Sequence, residues 1–111
     1  MKDDRIYLQH IRDAITRILT YTASGRDAFL ATPQAQDAVI RQLEIIGEAV
    51  KHLSAELRQQ HPDIPWKRIA GMRDEMIHEY FGVDLNIVWN VVGQHLPAFS
   101  QGIERLLRDI K

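Results

Sequence analysis

Apolar residues recur at steps of three and four along most of this chain. Such steps keep apolar side chains on one face of an α-helix, so they predict amphipathic helices rather than strands. The first stripe consists of Leu8, Ile11, Ile15, Ile18 and Thr22. Asp3 or Asp4 is placed to cap the start of this helix, and Gly25 is placed to end it.

The second stripe is the most regular. It follows Thr32-Pro33, a capping residue and then a proline at the first helical position. Its apolar positions are Val39, Leu43, Ile46, Val50, Leu53 and Leu57. We therefore predict one helix that continues through Leu57 and ends before residues 61–65, whose sequence His-Pro-Asp-Ile-Pro breaks helical structure.

Two more helices are predicted after this break. The third extends from Trp66 to about Phe81 and ends near Gly82, and Asp84 is placed to cap the fourth. The apolar positions of the fourth are Leu85, Trp89, Val92, Leu96, Phe99, Ile103, Leu106 and Ile110. Pro97 interrupts this stripe and removes one backbone hydrogen bond, so we expect a kink in the last helix.

These segments predict an all-α, antiparallel four-helix bundle that forms a single domain over residues 1–111. The fractions of hydrophobic residues, 45%, and charged residues, 26%, are typical of a soluble globular protein. The sequence contains no cysteine, which excludes disulfides and thiolate metal sites. The charged start at residues 1–5 does not resemble a secretory signal, so a cytoplasmic protein is expected, without a membrane partner.

Arg73 stands out because an ideal helix places it within the apolar arc of the third helix. A buried guanidinium requires a partner, and Glu44 or Glu48 on the second helix are possible ones. His78 follows five positions later, about 140° around the helix, so the two side chains do not meet on one straight helix. They converge if the helix unwinds or if a second copy of the chain completes the site. Tyr80 shares the face of Arg73.

The sequence around these residues carries a resemblance to a known family. Residues 64–80 (IPWKRIAGMRDEMIHEY), with Val83-Asp84 and Val88-Trp89, resemble the HepT-like proteins of the HEPN superfamily. Residues 46–49 (IGEA) are similar to the second-helix signature of that family. The resemblance extends over essentially the whole chain in length and helix order.

The resemblance implies a homodimer in which an R-x4-H-x-Y motif faces its twin and cleaves RNA as a metal-independent RNase toxin. Arg73 and His78 match the catalytic positions of the motif, and Tyr80 matches the tyrosine. The family's usual partner is a minimal nucleotidyltransferase antitoxin that transfers AMP to this tyrosine. Asp74 departs from the asparagine often found in the wider superfamily; its carboxylate could orient His78 or repel a phosphate. No cofactor is implied.

Two other functions remain open at this level. The chain could be a non-catalytic helical dimer that binds a nucleotidyltransferase, an idea that the formal net charge of −1 favours mildly. A dimer of the chain could also hold two metal ions, because each copy supplies one E-x-x-H step, Glu75 and His78, like those of di-iron bundles, and Glu44 or Glu48 of each copy could complete the ligands. The metal reading ranks lower, since Glu75 and His78 point away from the apolar arc of their helix.

Overall fold

A computed structural model describes the backbone of residues 3–76 and 85–109 and the side chains of residues 3–71 and 85–109. Within these ranges the secondary structure consists of α-helices and one π-helical turn. The α-helices are α1 (Asp4–Tyr21), α2 (Arg26–Ala31), α3 (Pro33–His52), α4 (Ala55–Gln60), α5 (Trp66–Met76), α6 (Leu85–Asn90) and α7 (Leu96–Asp109), and the π turn is Val91–His95. The described part contains no strand, which confirms the all-α prediction.

The core lies where α1, α3, α5 and α7 meet. α3 packs against α1 along one side and against α5 along another, and α7 packs against α1. The fully buried side chains include Leu8, Ile11, Ile18, Phe29, Leu43, Ile46, Leu53, Ile69, Leu96, Phe99 and Ile103. The predicted stripes of the first, second and fourth helices therefore face this core, as expected of amphipathic helices around a common interior.

The predicted second helix is wrong in its length. It ends at His52, Leu53 is extended, and Ser54 starts α4 by accepting a hydrogen bond from the N–H of Leu57 at 3.1 Å. Asp4 at the start of α1 accepts from both the N–H and the hydroxyl of Ser54, at 2.8 and 2.7 Å. Leu53 and Leu57 stay buried across the break, so the apolar spacing alone could not indicate it.

The short helix α2 was not predicted. Gly25 precedes it with a φ of 96°, a backbone conformation that glycine adopts without strain. Phe29 is its one buried residue, and its ring lies 5.4 Å from that of Trp89. Thr32 occupies the predicted cap position of α3, but its hydroxyl donates to the carbonyl of Ala28 in α2 instead.

The predicted kink near Pro97 takes the form of the π turn Val91–His95. Its wider hydrogen bond joins the N–H of Leu96 to the carbonyl of Val91, five residues earlier. Proline has no N–H to donate, and its ring presses on the preceding helical turn. The extra residue in the π turn makes room for this ring just before Pro97. The chain continues without interruption into α7.

No helix within the described ranges is long and apolar enough to cross a membrane.

Candidate functional site

The predicted catalytic motif straddles the limit of the described structure. Arg73 and Asp74 lie on the backbone of α5, in its last turns, and their side chains are outside the described set. His78 and Tyr80 lie outside the described residues altogether. The convergence of Arg73 with His78, and its pairing with Glu44 or Glu48, therefore stay predictions.

The first half of α5 is firmly anchored, and this fixes the direction of the helix that carries Arg73. Trp66 is 6% exposed, and its indole N–H donates to the carbonyl of His61 at 3.0 Å. Its ring meets that of Phe99 edge to face, with centroids 6.1 Å apart. Ile69, one turn further, is 2% exposed. An aromatic anchor with a satisfied polar edge is typical of a rigid helix start.

α3 approaches α5 closely at Gly47. A Cβ placed there would lie 3.5 Å from the carbonyl oxygen of Ala70 and 3.7 Å from that of Ile69. The family-like IGEA segment thus contributes a small residue at the helix contact, with Ile46 and Ala49 buried beside it. Glu48 points outward and lies 3.5 Å from the imidazole of His52, an ion pair only when that ring is protonated.

A groove lies between α1 and α3, which we call the α1–α3 groove. It is lined by Tyr7, His10, Arg41, Glu44, Ile45, Glu48, Ala49 and His52. The rings of Tyr7 and His52 stack with their centroids 5.1 Å apart. Although the groove holds two imidazoles and two carboxylates, no set of three such groups in the described part of the chain is arranged to hold a metal ion. Glu75 and His78 of the di-iron hypothesis lie outside the side chains described.

A second groove, the α5–α7 groove, lies beside the first half of α5 and has a volume of about 300 Å³. It is lined by Asp63, Ile64, Pro65, Arg68, Ile69, Val91, Gln94, His95, Ala98, Phe99, Gln101, Gly102 and Arg105. No spacing signal in the sequence joins Arg68 and His95, because the two side chains meet only in the folded protein.

Two polar pairs bridge the rim of this α5–α7 groove. A guanidinium nitrogen of Arg68 lies 3.2 Å from Nε2 of His95. Arg105 donates to a carboxylate oxygen of Asp63 at 2.7 Å. This hydrogen bond holds the pKa of Asp63 below its usual value, because it favours the charged carboxylate.

Comparison with known proteins identifies the family. The family described as "Ribonuclease HepT-like" matches residues 11–106, a range that includes Arg73, His78 and Tyr80. This chain belongs to the HepT-like ribonuclease family. The predicted resemblance is thereby confirmed, and ribonuclease is the function class to which the family points.

Relatives of the chain agree with this assignment. "Probable ribonuclease HepT" of Thermococcus cleftensis is 43% identical over 101 residues, covering 90% of this chain and 92% of the relative. "Putative RNase TTE0752" of Caldanaerobacter subterraneus is 40% identical over 112 residues and is covered over its full length. "Gamma-glutamylcyclotransferase and putative RNase MJ0434" of Methanocaldococcus jannaschii is 44% identical over 110 residues, but the chain spans only 50% of it. No solved structure matches the chain.

Proposed function

We propose that the chain is a metal-independent endoribonuclease, the toxin of a HepT-type toxin–antitoxin pair, and that it acts in the cytoplasm as a homodimer. The observation that carries the proposal is the family match across residues 11–106, which covers every position of the R-x4-H-x-Y motif. The anchored start of α5 supports it, because catalytic side chains need a backbone that holds its geometry. Arg73 lies on the backbone of that helix.

The chemistry assigned to the motif follows from what RNA cleavage requires. A base removes the proton of a 2′-hydroxyl, the 2′-oxygen attacks the adjacent phosphorus, and an acid protonates the leaving 5′-oxygen. Imidazole titrates in the suitable range, so His78 and its twin in the second copy take these two roles. Arg73 holds the phosphate with its planar set of donors. Tyr80 positions the strand, and Asp74 lies next to Arg73 as a supporting residue.

A second copy is needed for geometric reasons. If α5 continued as an ideal helix, His78 would lie about 140° around it from Arg73. Two chains related by a two-fold axis bring two copies of each group around one cleft, so that a guanidinium of one subunit meets an imidazole of the other.

The antitoxin proposed for this toxin is a minimal nucleotidyltransferase that modifies Tyr80. The phenol oxygen attacks the α-phosphate of ATP, pyrophosphate leaves, and the phenol proton passes to solvent. The attached AMP adds bulk and a negative phosphodiester to the cleft, and both exclude RNA. Intact-mass spectrometry after co-expression with the nucleotidyltransferase encoded beside the toxin should show added AMP, and Tyr80→Phe should abolish it. Unmodified wild-type protein would contradict this step.

An RNA cleavage assay in the presence of a chelator tests the nuclease itself. We expect cleavage by the wild type and a loss of about 100-fold or more for Arg73→Ala or His78→Ala, the usual range for losing an acid–base group. His61→Ala and Arg108→Ala, which remove the same groups elsewhere, should stay within about twofold. Equal cleavage by all variants would reject the assignment of the site.

The alternative function is a non-catalytic dimer that binds a nucleotidyltransferase. The formal net charge of −1 favours it, because non-specific RNA binding usually draws on a basic surface. Absence of cleavage by the partner-free wild type, together with stable binding to the nucleotidyltransferase, would favour this alternative.

A further inference from the structure

The α5–α7 groove has an apolar floor and a polar rim. Its floor is apolar and buried, with Ile64, Ile69, Val91 and Phe99 each no more than 5% exposed. Its rim is polar, and most of the rim side chains are exposed. A small apolar floor surrounded by a few converging polar groups is the usual form of a site for a small organic group.

The rim carries positive charge on a chain whose formal net charge is −1. Arg68 and Arg105 stand on opposite elements, and Asp63 is the only carboxylate among the described residues that line the groove. With His95 counted as neutral, these described residues carry one net positive charge, which favours an anionic ligand.

The two arginines keep donors available despite their contacts. Arg68 uses one terminal nitrogen toward His95, and Arg105 uses one toward Asp63. A guanidinium has five N–H donors, so each can still bind a phosphate oxygen. The Arg105–Asp63 pair is 46% and 60% exposed, and such exposed ion pairs contribute little energy that a ligand would need to replace.

The volume of the groove and its uncharged polar side chains indicate the class of ligand. About 300 Å³ accommodates one base rather than a folded partner element. The amides of Gln94 and Gln101 each offer donors and an acceptor, as needed along the edge of a nucleobase. Guanidinium planes stack on bases and also bind phosphates.

From these features we propose that the α5–α7 groove binds one nucleotide of a single-stranded RNA, with its base over the apolar floor and its phosphate at Arg68 and Arg105. The inference rests on the proposed function, which supplies the RNA. Arg68 precedes Arg73 by five residues on the same helix, about 7.5 Å along the axis and about 140° around it. The strand therefore has to pass partly around α5 between the groove and Arg73. A nucleotide in the groove then flanks the position that is cleaved, and the groove adds affinity without touching the reacting phosphate.

Binding of a fluorescent single-stranded 2′-O-methyl hexanucleotide tests the proposal, since blocking the 2′-hydroxyl prevents cleavage. Arg68→Gln should weaken binding about tenfold, as expected for a lost charge-assisted contact. It should also reduce the slope of log K against log salt by about 0.7, the value for one phosphate contact on a single strand. Ala98→Phe, which fills the groove without changing charge, should weaken binding by a similar factor.

Matched controls separate the groove from general charge effects. Lys67→Gln on α5 and Arg108→Gln on α7 remove the same charge from exposed positions that do not line the groove. We expect each to change affinity less than about twofold. Equal losses for Lys67→Gln and Arg68→Gln, or unchanged binding by a folded Ala98→Phe protein, would overturn the proposal.

A free nucleotide carries the same base and phosphate groups as a nucleotide of an RNA strand, so it is the other ligand to test. Adenosine 5′-monophosphate should bind at least about tenfold more weakly than the hexanucleotide, because neighbouring phosphates contribute only in the strand. Equal affinity would overturn the assignment to RNA.

The proposed nuclease function can fail separately. If the hexanucleotide binds with the expected pattern while no RNA is cleaved, the groove stands and the nuclease does not. If RNA is cleaved through Arg73 while Arg68→Gln and Ala98→Phe bind the hexanucleotide normally, the nuclease function stands and the groove proposal fails.

Discussion

Gly47 on α3 lies against the backbone of Ala70 on α5, so closely that a Cβ at position 47 would be 3.5 Å from the carbonyl oxygen of Ala70. This distance is an ordinary van der Waals contact, which leaves room for a methyl group and nothing larger. The contact sets the separation of the two helices next to the turns of α5 that carry Arg73.

The effect of a substitution at Gly47 on the free energy of unfolding should therefore depend on the size of the new side chain. Gly47→Ala should raise the free energy of unfolding by up to about 1 kcal/mol, because alanine is the better helix former. Gly47→Leu should lower it by about 1 to 3 kcal/mol by forcing α3 and α5 apart. Urea unfolding measures both. At Gly71, where a Cβ would meet no described atom within 4 Å, leucine should cost clearly less. Equal costs at the two positions would contradict the close packing.

The link between α1 and α4 gives a second prediction. Asp4 accepts two hydrogen bonds from Ser54, which also caps α4. Asp4→Ala should lower the free energy of unfolding by about 1 to 3 kcal/mol, since a charged acceptor is lost. A double-mutant cycle with Ser54→Ala should show a coupling of at least about 0.5 kcal/mol. Asp13→Ala on the exposed face of α1 is the control, and additive effects of Asp4 and Ser54 would refute the link.

Two glutamines on α3 should respond oppositely to the same substitution. Gln42 is 8% exposed, and its Oε1 has no hydrogen-bond partner within the described structure. Gln42→Met should raise the free energy of unfolding by about 1 kcal/mol, because it removes a buried acceptor without a partner. Gln36 donates to the carbonyls of Phe29 and Leu30, at 3.0 and 3.1 Å. Gln36→Met should lower the free energy of unfolding by about 1 kcal/mol, and stabilisation by both variants would show that these contacts do not matter.

The pair at the rim of the α5–α7 groove predicts a pH effect. Arg105 lowers the pKa of Asp63, so the folded state favours the charged carboxylate. The associated stability is present at neutral pH and is lost as pH falls through the folded-state pKa. In an NMR titration, Arg105→Gln should return the pKa of Asp63 toward its usual value, whereas Arg108→Gln should not. An unchanged pKa in Arg105→Gln would mean that the hydrogen bond is absent in solution.

The sequence predicted the long helices well and the short ones poorly. α1 and the first part of α3 carry stripes long enough to have only one interpretation. α2 buries only Phe29, so it leaves no periodic signal. The break at Ser54 was missed because it depends on Asp4, fifty residues away in sequence. Pro97 indicated a disturbance in the last helix, but proline alone does not distinguish a bend from a π turn.

The candidate site was likewise predicted only in part from the sequence. The motif residues Arg73, His78 and Tyr80 were identified by resemblance to a family, and the family match confirms that resemblance. In the proposed dimer their mutual geometry depends on a second subunit, and no pattern in one chain specifies that arrangement. The α5–α7 groove was missed because Arg68 and His95 are 27 residues apart and meet only in the folded protein.

Mixed dimers show whether the two subunits complete one cleft in which both copies of His78 act. Wild-type and His78→Ala proteins would be co-expressed with different tags, mixed dimers purified, and RNA cleavage rates compared with those of both homodimers. Because the general base and the general acid come from different subunits, a mixed dimer with a single His78 should lose about 100-fold or more, as the His78→Ala homodimer does. A mixed dimer that cleaves RNA at about half the wild-type rate, or a wild-type protein that cleaves no RNA, would contradict a shared cleft.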